Sequence, residues 1–474
     1  MKHPNAQTSA EEQLSISEQL VQICSAAVNE QTRNRAALHV LDWLGCILSG
    51  ATTAPGLGIR RYSRMPQFAV GKSFVCGENC LDASAAAFVN GSLGNILEMD
   101  DVHRASILHA GDIIIPAVLA TAQENDVSMT LFLDSIVRGY EVALRLGSVA
   151  ASGGYSNWYN SGTCGIFGAA SACAYVLQLD DHQHKDCLGQ AGMLGSGIWQ
   201  CRFESTWSKQ LASANAARNG VVAASLGEQR FPGARFIFEG EAGFFPTYYP
   251  GADIKSLSLA PVDTWALHDV SFKPWPACRH NHPAIEAALR ARENASVENN
   301  LGNIASIEIE TYQAAIDFCD NENPVTDHNA RFSLQHCIAV ALSRGEPAIS
   351  DFEESARSDV LIGSLREKTS LTVGRRYDSR FPQHMGSAVT INMVGGESIR
   401  VETDNARGDP ENPMSMADIK QKFYRLAAFA NVSEQHAEQV VAALLECGAN
   451  DSMLALNEAL ANTVADFKQQ RKQQ

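Results

Sequence analysis

The 474-residue chain contains no CxxC pair, although it has 12 cysteines; the closest two, Cys76 and Cys80, are separated by three residues. That spacing leaves no zinc ribbon, thioredoxin-type or ferredoxin-type site, and so few thiols in a chain this long build no disulfide scaffold. Cys24, Cys46, Cys173, Cys337 and Cys447 fall within apolar helical stretches, where a free thiol behaves as a small buried hydrophobe. Positive charge is short as well. Against 37 Lys+Arg stand 53 Asp+Glu, a formal net charge of −16, which argues against nucleic acid or an anionic membrane as main partner. A few cations in one cleft can still hold a small anion. Long hydrophobic runs are missing: the longest, around Val40–Ala51, contains Asp42 and is too short to cross a bilayer. The polar start MKHPNAQTSAEEQ carries no signal-peptide core, so a cytoplasmic protein is expected. There is no GxxxxGK[ST], no GxGxxG after a strand, no HExxH, no GxSxG elbow and no EF-hand loop.

What is present is an ordinary globular composition, with 45% hydrophobic and 19% charged residues and length enough for two or three domains. Helical periodicity dominates the first half, over residues 13–28, 30–49 (closed by Gly50), a segment starting near Asp112 and Pro116, then 128–149, 165–178, 183–199 and 207–228. The pattern changes after residue 268. IASIEIET at 304–311 alternates with period two, SAVTINMV and SIRVET flank the hairpin signal Gly395-Gly396, LTV at 371–373 adds a further strand, and 328–345 reads as a helix. Helices return over 416–429, 433–447 and 451–467. The expected fold is mainly α: a large all-helical domain from 1–267 and 404–474, and a smaller α+β lid domain from 268–403.

Three polar clusters could carry chemistry. Glu98-Met-Asp100-Asp101-Val-His103, followed by His109, lies just before a helix N-terminus, where the dipole favours an anion. A metal site is one reading of these ligand types, although the spacing fits no metal motif, and a solvated loop with capping acids is another. The preferred reading is an acid–base site centred on His109. The second cluster, KPWPACRHNHPAIE from Lys273 to Glu286, sets Arg279, His280 and His282 at a helix start after two prolines. Its plain alternative is surface charge with His282 as a cap. Third, Lys209 stands in the Trp- and Gly-rich stretch GSGIWQCRFESTWSKQL, behind a Gly/Asn/Ser-rich loop at 153–165 that offers N–H donors and Tyr159. His182 and His184 read as solvated surface, and Gly192, Gly195 and Gly197 as helix-packing glycines.

In order along the chain, LDWLGCILSGA (41–51), FVNGSLGNILEMDDVHRASILHAGDIIIPAVLA (88–120), RGYEVALRLG (138–147), GTCGIFGAASACAYVLQLD (162–180), WSKQL (207–211), KPWPACRHNHPAIEAAL (273–289), ARFSLQHCIAVAL (330–342) and RGDPENPMS (407–415) resemble the MmgE/PrpD family. The family includes 2-methylcitrate dehydratase, cis-aconitate decarboxylase and iminodisuccinate epimerase. The resemblance implies a helical domain with an α+β lid, a homodimer, no metal or other cofactor, and chemistry on a small di- or tricarboxylate in a cleft between the domains. By position it places catalytic roles on Asp101, His109, Lys209 and His282; Tyr159, which stands where a family histidine is common, is added as a further catalytic candidate. It makes Arg279 a carboxylate clamp and puts Asp100 in the family's acid segment; His103, Lys273 and His336 are expected as further substrate contacts, the whole forming one cationic pocket. The chain departs from the family pattern at Val102 (commonly Thr), Ala110 (commonly Pro), Tyr159 and Ala212 (commonly His) and His336 (commonly Tyr).

Dehydration, decarboxylation and epimerisation share one demand, the stabilisation of a carbanion beside a carboxylate by preorganised cations and N–H donors. Arg279, Lys273 and the 153–165 loop are expected to hold carboxylates. Lys209, Tyr159 or His109 would be the base, with His282 as the opposing acid. Dehydration of a 2-methylcitrate- or citrate-like acid leads. Epimerisation of a dicarboxylate such as iminodisuccinate, cis-aconitate-type decarboxylation and a non-catalytic carboxylate-binding scaffold are the alternatives.

Overall fold

The computed structural model describes residues 14–446, 448 and 451–473. The fold is mainly α with a small α+β part. Cys24, Cys46, Cys173 and Cys337 are buried free thiols, while Cys447 lies outside the described residues. Among the described residues no helix is long and apolar enough to cross a membrane.

Helix Glu30–Gly50 starts at Asn29, whose side chain accepts from the Thr32 N–H at 2.9 Å, and every residue from 36 to 50 is buried. A helix covered on all sides belongs at the centre of a core. Gly50 is still helical, and Ala51 is the cap, so the glycine does not end the helix. Against this helix packs Met416–Phe429. Lys422 from that later helix reaches Asp42 Oδ1 at 2.6 Å and the Met99 carbonyl at 2.6 Å, all out of water. Burial pushes the Asp42 carboxyl up to about 6 although Lys422 pulls it down.

The buried apolar residues form one large cluster, drawn from Ile16 to Phe272 and again from Met414 to Phe467, and a second between Trp275 and Met393. The second surrounds a four-stranded sheet in the order Thr369–Val373, Ile304–Thr311, Ser387–Met393, Ser398–Thr403. The first pair is parallel and the others antiparallel. Ile304, Ile307 and Ile309 are buried; the three-residue step between the first two coincides with a register shift at Ile304/Ser306, which explains the break in alternation. Gly396 turns the last hairpin at φ 87°, as its Gly-Gly signal predicts. Helices His282–Arg292 and Leu334–Arg344 pack together, the first of them on the sheet.

Two expectations need correction. The helix expected over 183–199 is Asp181–Leu194; Gly195 is extended, Gly197 sits at φ 134°, and the chain passes into a 3₁₀ turn, Trp199–Phe203. His184 is buried, not solvated, with Nε2 2.9 Å from Ser171 Oγ.

Three distant segments meet at one edge. Val102 and Ser271 exchange backbone bonds of 3.0 and 2.9 Å, and Phe272 N–H donates to the Gly408 carbonyl at 3.0 Å. The acid-rich segment, the approach to Lys273 and the 407–415 loop are thereby held together.

Candidate active site

The acid-rich segment is a loop between helices Ala83–Gly91 and Gly111–Asn125. It turns through left-handed residues at Glu98 (φ 53°) and Ile107 (φ 51°), a conformation costly for side chains of this size and maintained by tight packing. Asp101 anchors its end. Its carboxylate takes the Gly111 N–H at 2.9 Å, the Tyr140 hydroxyl at 2.7 Å and lies 2.6 Å from His39 Nδ1. A Cβ at position 111 would stand 2.9 Å from both Asp101 Oδ1 and the Tyr140 oxygen, so only glycine lets the helix start this close. Asp101 is therefore a structural cap for the helix that follows His109.

From this loop a line of five charged or ionisable groups runs through the interior. His109 Nδ1 lies 2.8 Å from Asp100 Oδ2 and 3.1 Å from the Asp101 carbonyl, toward which its N–H points. Asp100 Oδ1 is 3.1 Å from Lys273 Nζ, which is 3.5 Å from Glu98 Oε2, and Glu98 Oε1 is 2.5 Å from Lys209 Nζ. The middle three are buried; the ends, His109 and Lys209, line a cavity of about 310 Å³. Burial would raise the Glu98 carboxyl, but Lys209 and Lys273 outweigh it and bring it to about 2. Burial likewise opposes ionisation of Asp100, yet His109 and Lys273 hold it well below the carboxylate range. Lys209 loses hydration and gains more from Glu98, so its ammonium is held above its ordinary value. A lysine in that state donates and stabilises charge; it does not remove protons at neutral pH.

Arg279 and Arg104 line the same cavity and share one acid. Arg279 Nη2 binds Asp409 Oδ1, and Arg104 reaches Asp409 Oδ2 at 3.5 Å and Glu411 at 2.8 Å. His280 lies between two phenols, with Nε2 2.9 Å from the Tyr155 hydroxyl and Nδ1 2.8 Å from that of Tyr312. Burial and then Arg279 bring its imidazole down to about 3. His103, also lining, accepts the Ser106 N–H at Nδ1 (3.3 Å) and is depressed to about 4 by burial. The cleft is thus mixed in charge, with cations held against acids and neutral imidazoles between them, where a cationic pocket was expected.

Of the residues singled out from the sequence, Glu98, His103, His109, Lys209, Arg279 and His280 line this cavity, and Asp100 and Lys273 stand directly behind it. Tyr159 is buried with its ring 4.6 Å from Trp199, and burial raises its phenol strongly, which removes it as a base. His282 is also enclosed: Nε2 is 3.1 Å from the Ala277 carbonyl, the ring packs 5.4 Å from Trp275, and burial with Arg279 keeps it neutral. It supports the wall and does not face a ligand. His336, expected as a substrate contact, sits elsewhere, with Nε2 2.7 Å from the Asp351 carbonyl and Arg366 beside Nδ1. The sequence reading gave no role to Arg104, Tyr155, Arg202 or Asp409, and it set His280 at the helix start without placing it in the cleft wall. Each of the first four lies in a stretch the sequence had marked: Arg104 in 88–120, Tyr155 in the loop at 153–165, Arg202 in GSGIWQCRFESTWSKQL and Asp409 in RGDPENPMS. Among the described residues no group of three or more His, Cys, Asp or Glu side chains is arranged to hold a metal ion.

The MmgE/PrpD N-terminal domain model matches residues 15–257 and the C-terminal domain model residues 275–446. A cis-aconitate decarboxylase-like protein (oryM) of Aspergillus oryzae is 26% identical over 398 residues, 78% of this chain and 82% of its own. Human cis-aconitate decarboxylase is 25% identical over 414 residues, covering 84% and 83%. The 2-methylcitrate dehydratase of Salmonella typhimurium is 22% identical over 417 residues, covering 80% and 83%.

Proposed function

The chain belongs to the MmgE/PrpD family, and on that premise we propose that it is a lyase acting on a small carboxylic acid with two or three carboxylates, by proton transfer at a carbon next to a carboxylate. The observation that carries this reading is the buried line His109–Asp100–Lys273–Glu98–Lys209 with both ends in one cleft. His109 is the base. With Nδ1–H donated to the Asp101 carbonyl, Nε2 keeps its lone pair, and Asp100 balances the charge when Nε2 takes a proton. Lys209, charged and fixed by Glu98, stabilises the negative charge that develops on the carboxylate as the proton leaves. Arg279, its charge balanced by Asp409, offers Nη1, which is buried without a protein partner, as a hydrogen-bond donor to the substrate.

In the forward sense the proton held on His109 Nε2 passes to a β-hydroxyl, whose C–O bond breaks so that it departs as water, giving an unsaturated acid. Decarboxylation is the second reading, favoured by the two decarboxylase relatives just described. There carbon dioxide leaves first and a protonated His109 or Lys209 quenches the carbanion. The test is incubation of the protein with a polycarboxylate panel in deuterated water. A new alkene without carbon dioxide supports the hydro-lyase, and carbon dioxide release supports the decarboxylase. Deuterium at an α-carbon with no net loss of substrate means epimerisation. Binding without turnover or exchange leaves only a carboxylate-binding scaffold.

A further inference from the structure

Four cations line the cleft, and three are already engaged: Lys209 by Glu98, Arg279 by Asp409, Arg104 by Asp409 and Glu411. Such pairs leave little uncompensated positive charge for a tricarboxylate, whose three negative charges would have to give up water for contacts that are mostly neutralised. The fourth cation differs. Among the described residues no carboxylate is in ion-pair contact with Arg202, and its Nε is buried without a hydrogen-bond partner. Its guanidinium carbon lies 3.8 Å from the centre of the Phe318 ring and 5.3 Å from that of Tyr155. Stacking of this kind fixes the plane of the fork and leaves its edge donors for a ligand.

Around Arg202 the wall is aromatic. Tyr155 packs on Phe318 at 4.7 Å, Trp199 meets Phe318 edge-on at 6.4 Å, and Phe332 continues the surface to Lys209, 5.9 Å from its ring centre. Phe203 stands at the rim, 73% exposed. An apolar surface on one side of a polar cleft lowers the free energy of a ligand only if the ligand brings apolar area to cover it.

We propose that the cleft is built for a dicarboxylate carrying an apolar substituent of several carbons, with one carboxylate near Lys209, the other on Arg202, and the substituent along Phe318, Trp199 and Phe332. This rests on the proton-transfer reading above and names the substrate class for it. A citrate-sized tricarboxylate would leave the aromatic wall wet and its third carboxylate without a free cation.

The test is kcat/KM of the wild-type protein over a C-alkylated 2-hydroxydicarboxylate (malate-type) series, whose hydroxyl is the leaving group, from hydrogen through methyl, butyl and hexyl, beside the parent tricarboxylates. A rise of roughly threefold per methylene, at least tenfold from methyl to butyl, is expected from burial of the chain. Phe318→Ala should flatten that dependence. Phe203→Ala at the exposed rim should cut the gain from butyl to hexyl, and it keeps the wall testable should the former variant not fold. Arg202→Gln should raise KM for every dicarboxylate more than it lowers kcat. Turnover of the parent acids with no gain, or a loss, as the chain lengthens overturns this inference alone. Failure of every member to turn over or exchange deuterium overturns the proton-transfer reading with it.

Discussion

Lys209 Nζ stands 2.5 Å from Glu98 Oε1 at the edge of the cleft, and each charge owes its persistence to the other. Dehydration of the site works against both; their attraction overrides it, leaving Glu98 at about 2 and Lys209 above its ordinary range.

Glu98→Gln removes the acid and leaves the burial. The Lys209 ammonium then loses protons at a lower pH than in the wild type, so the alkaline limb of the kcat profile should move to lower pH. An alkaline limb unchanged in Glu98→Gln would show that the Lys209 charge is not used in turnover.

His109→Gln keeps a side chain of similar reach but no basic nitrogen. Turnover and deuterium exchange should both fall by about 10²–10⁴-fold, the usual contribution of one general base. Circular dichroism and thermal midpoint should stay near wild type, because His109 lines the cavity and caps no element. By contrast His282→Gln, enclosed against Trp275, should lower the thermal midpoint.

Asp409 neutralises Arg279 and Arg104 together. Asp409→Asn should therefore turn the cleft cationic. KM for tricarboxylates should drop several-fold and become more sensitive to salt, at a cost to stability of about 3–5 kcal/mol for the Arg279 guanidinium left buried and unpaired, since Arg104 keeps Glu411. Steady-state kinetics across an ionic-strength series, together with urea unfolding, measure both effects.

His184 gives a pH prediction away from the site. Burial lowers its imidazole to about 4 in the native protein, against about 6.5 when unfolded. Between those values the unfolded chain binds the extra proton, so its contribution is full above pH 6.5 and is lost as pH falls toward 4. Urea unfolding at pH 7 and 4.5 should show a loss smaller by about 2–3 kcal/mol in His184→Gln than in the wild type.

Much of the fold was legible because it depends on local chemistry. The hairpin at Gly395-Gly396 and the alternation over 304–311 are short-range signals, and both appear in the sheet. The residues from Gly195 to Trp199 read as the end of a helix because their apolar spacing permits one. The structure unwinds them, and Trp199 and Arg202 thereby reach the cleft wall. Site residues were legible by type but less so by partner. Lys273 and Arg279 read as substrate cations, yet each is bonded to an acid far away in sequence, at Asp100 and Asp409. Local spacing carries no information on such pairings. The aromatic wall was hidden for the same reason, since Tyr155, Trp199, Phe318 and Phe332 come from four separate segments.

The bond from Lys422 to Asp42 and the Met99 carbonyl has a consequence for biosynthesis. Met99 lies between Glu98 and Asp100, so the backbone that aims the acids of the cleft is pinned by a side chain translated more than three hundred residues later. On the ribosome the helix Glu30–Gly50 emerges with a buried-type carboxylate and no counter-charge. The acid-bearing backbone is held as the structure shows it only once the helix Met416–Phe429 has docked. Truncated or stalled products ending before it would hold the whole set of cleft residues in sequence and lack the cation that positions them.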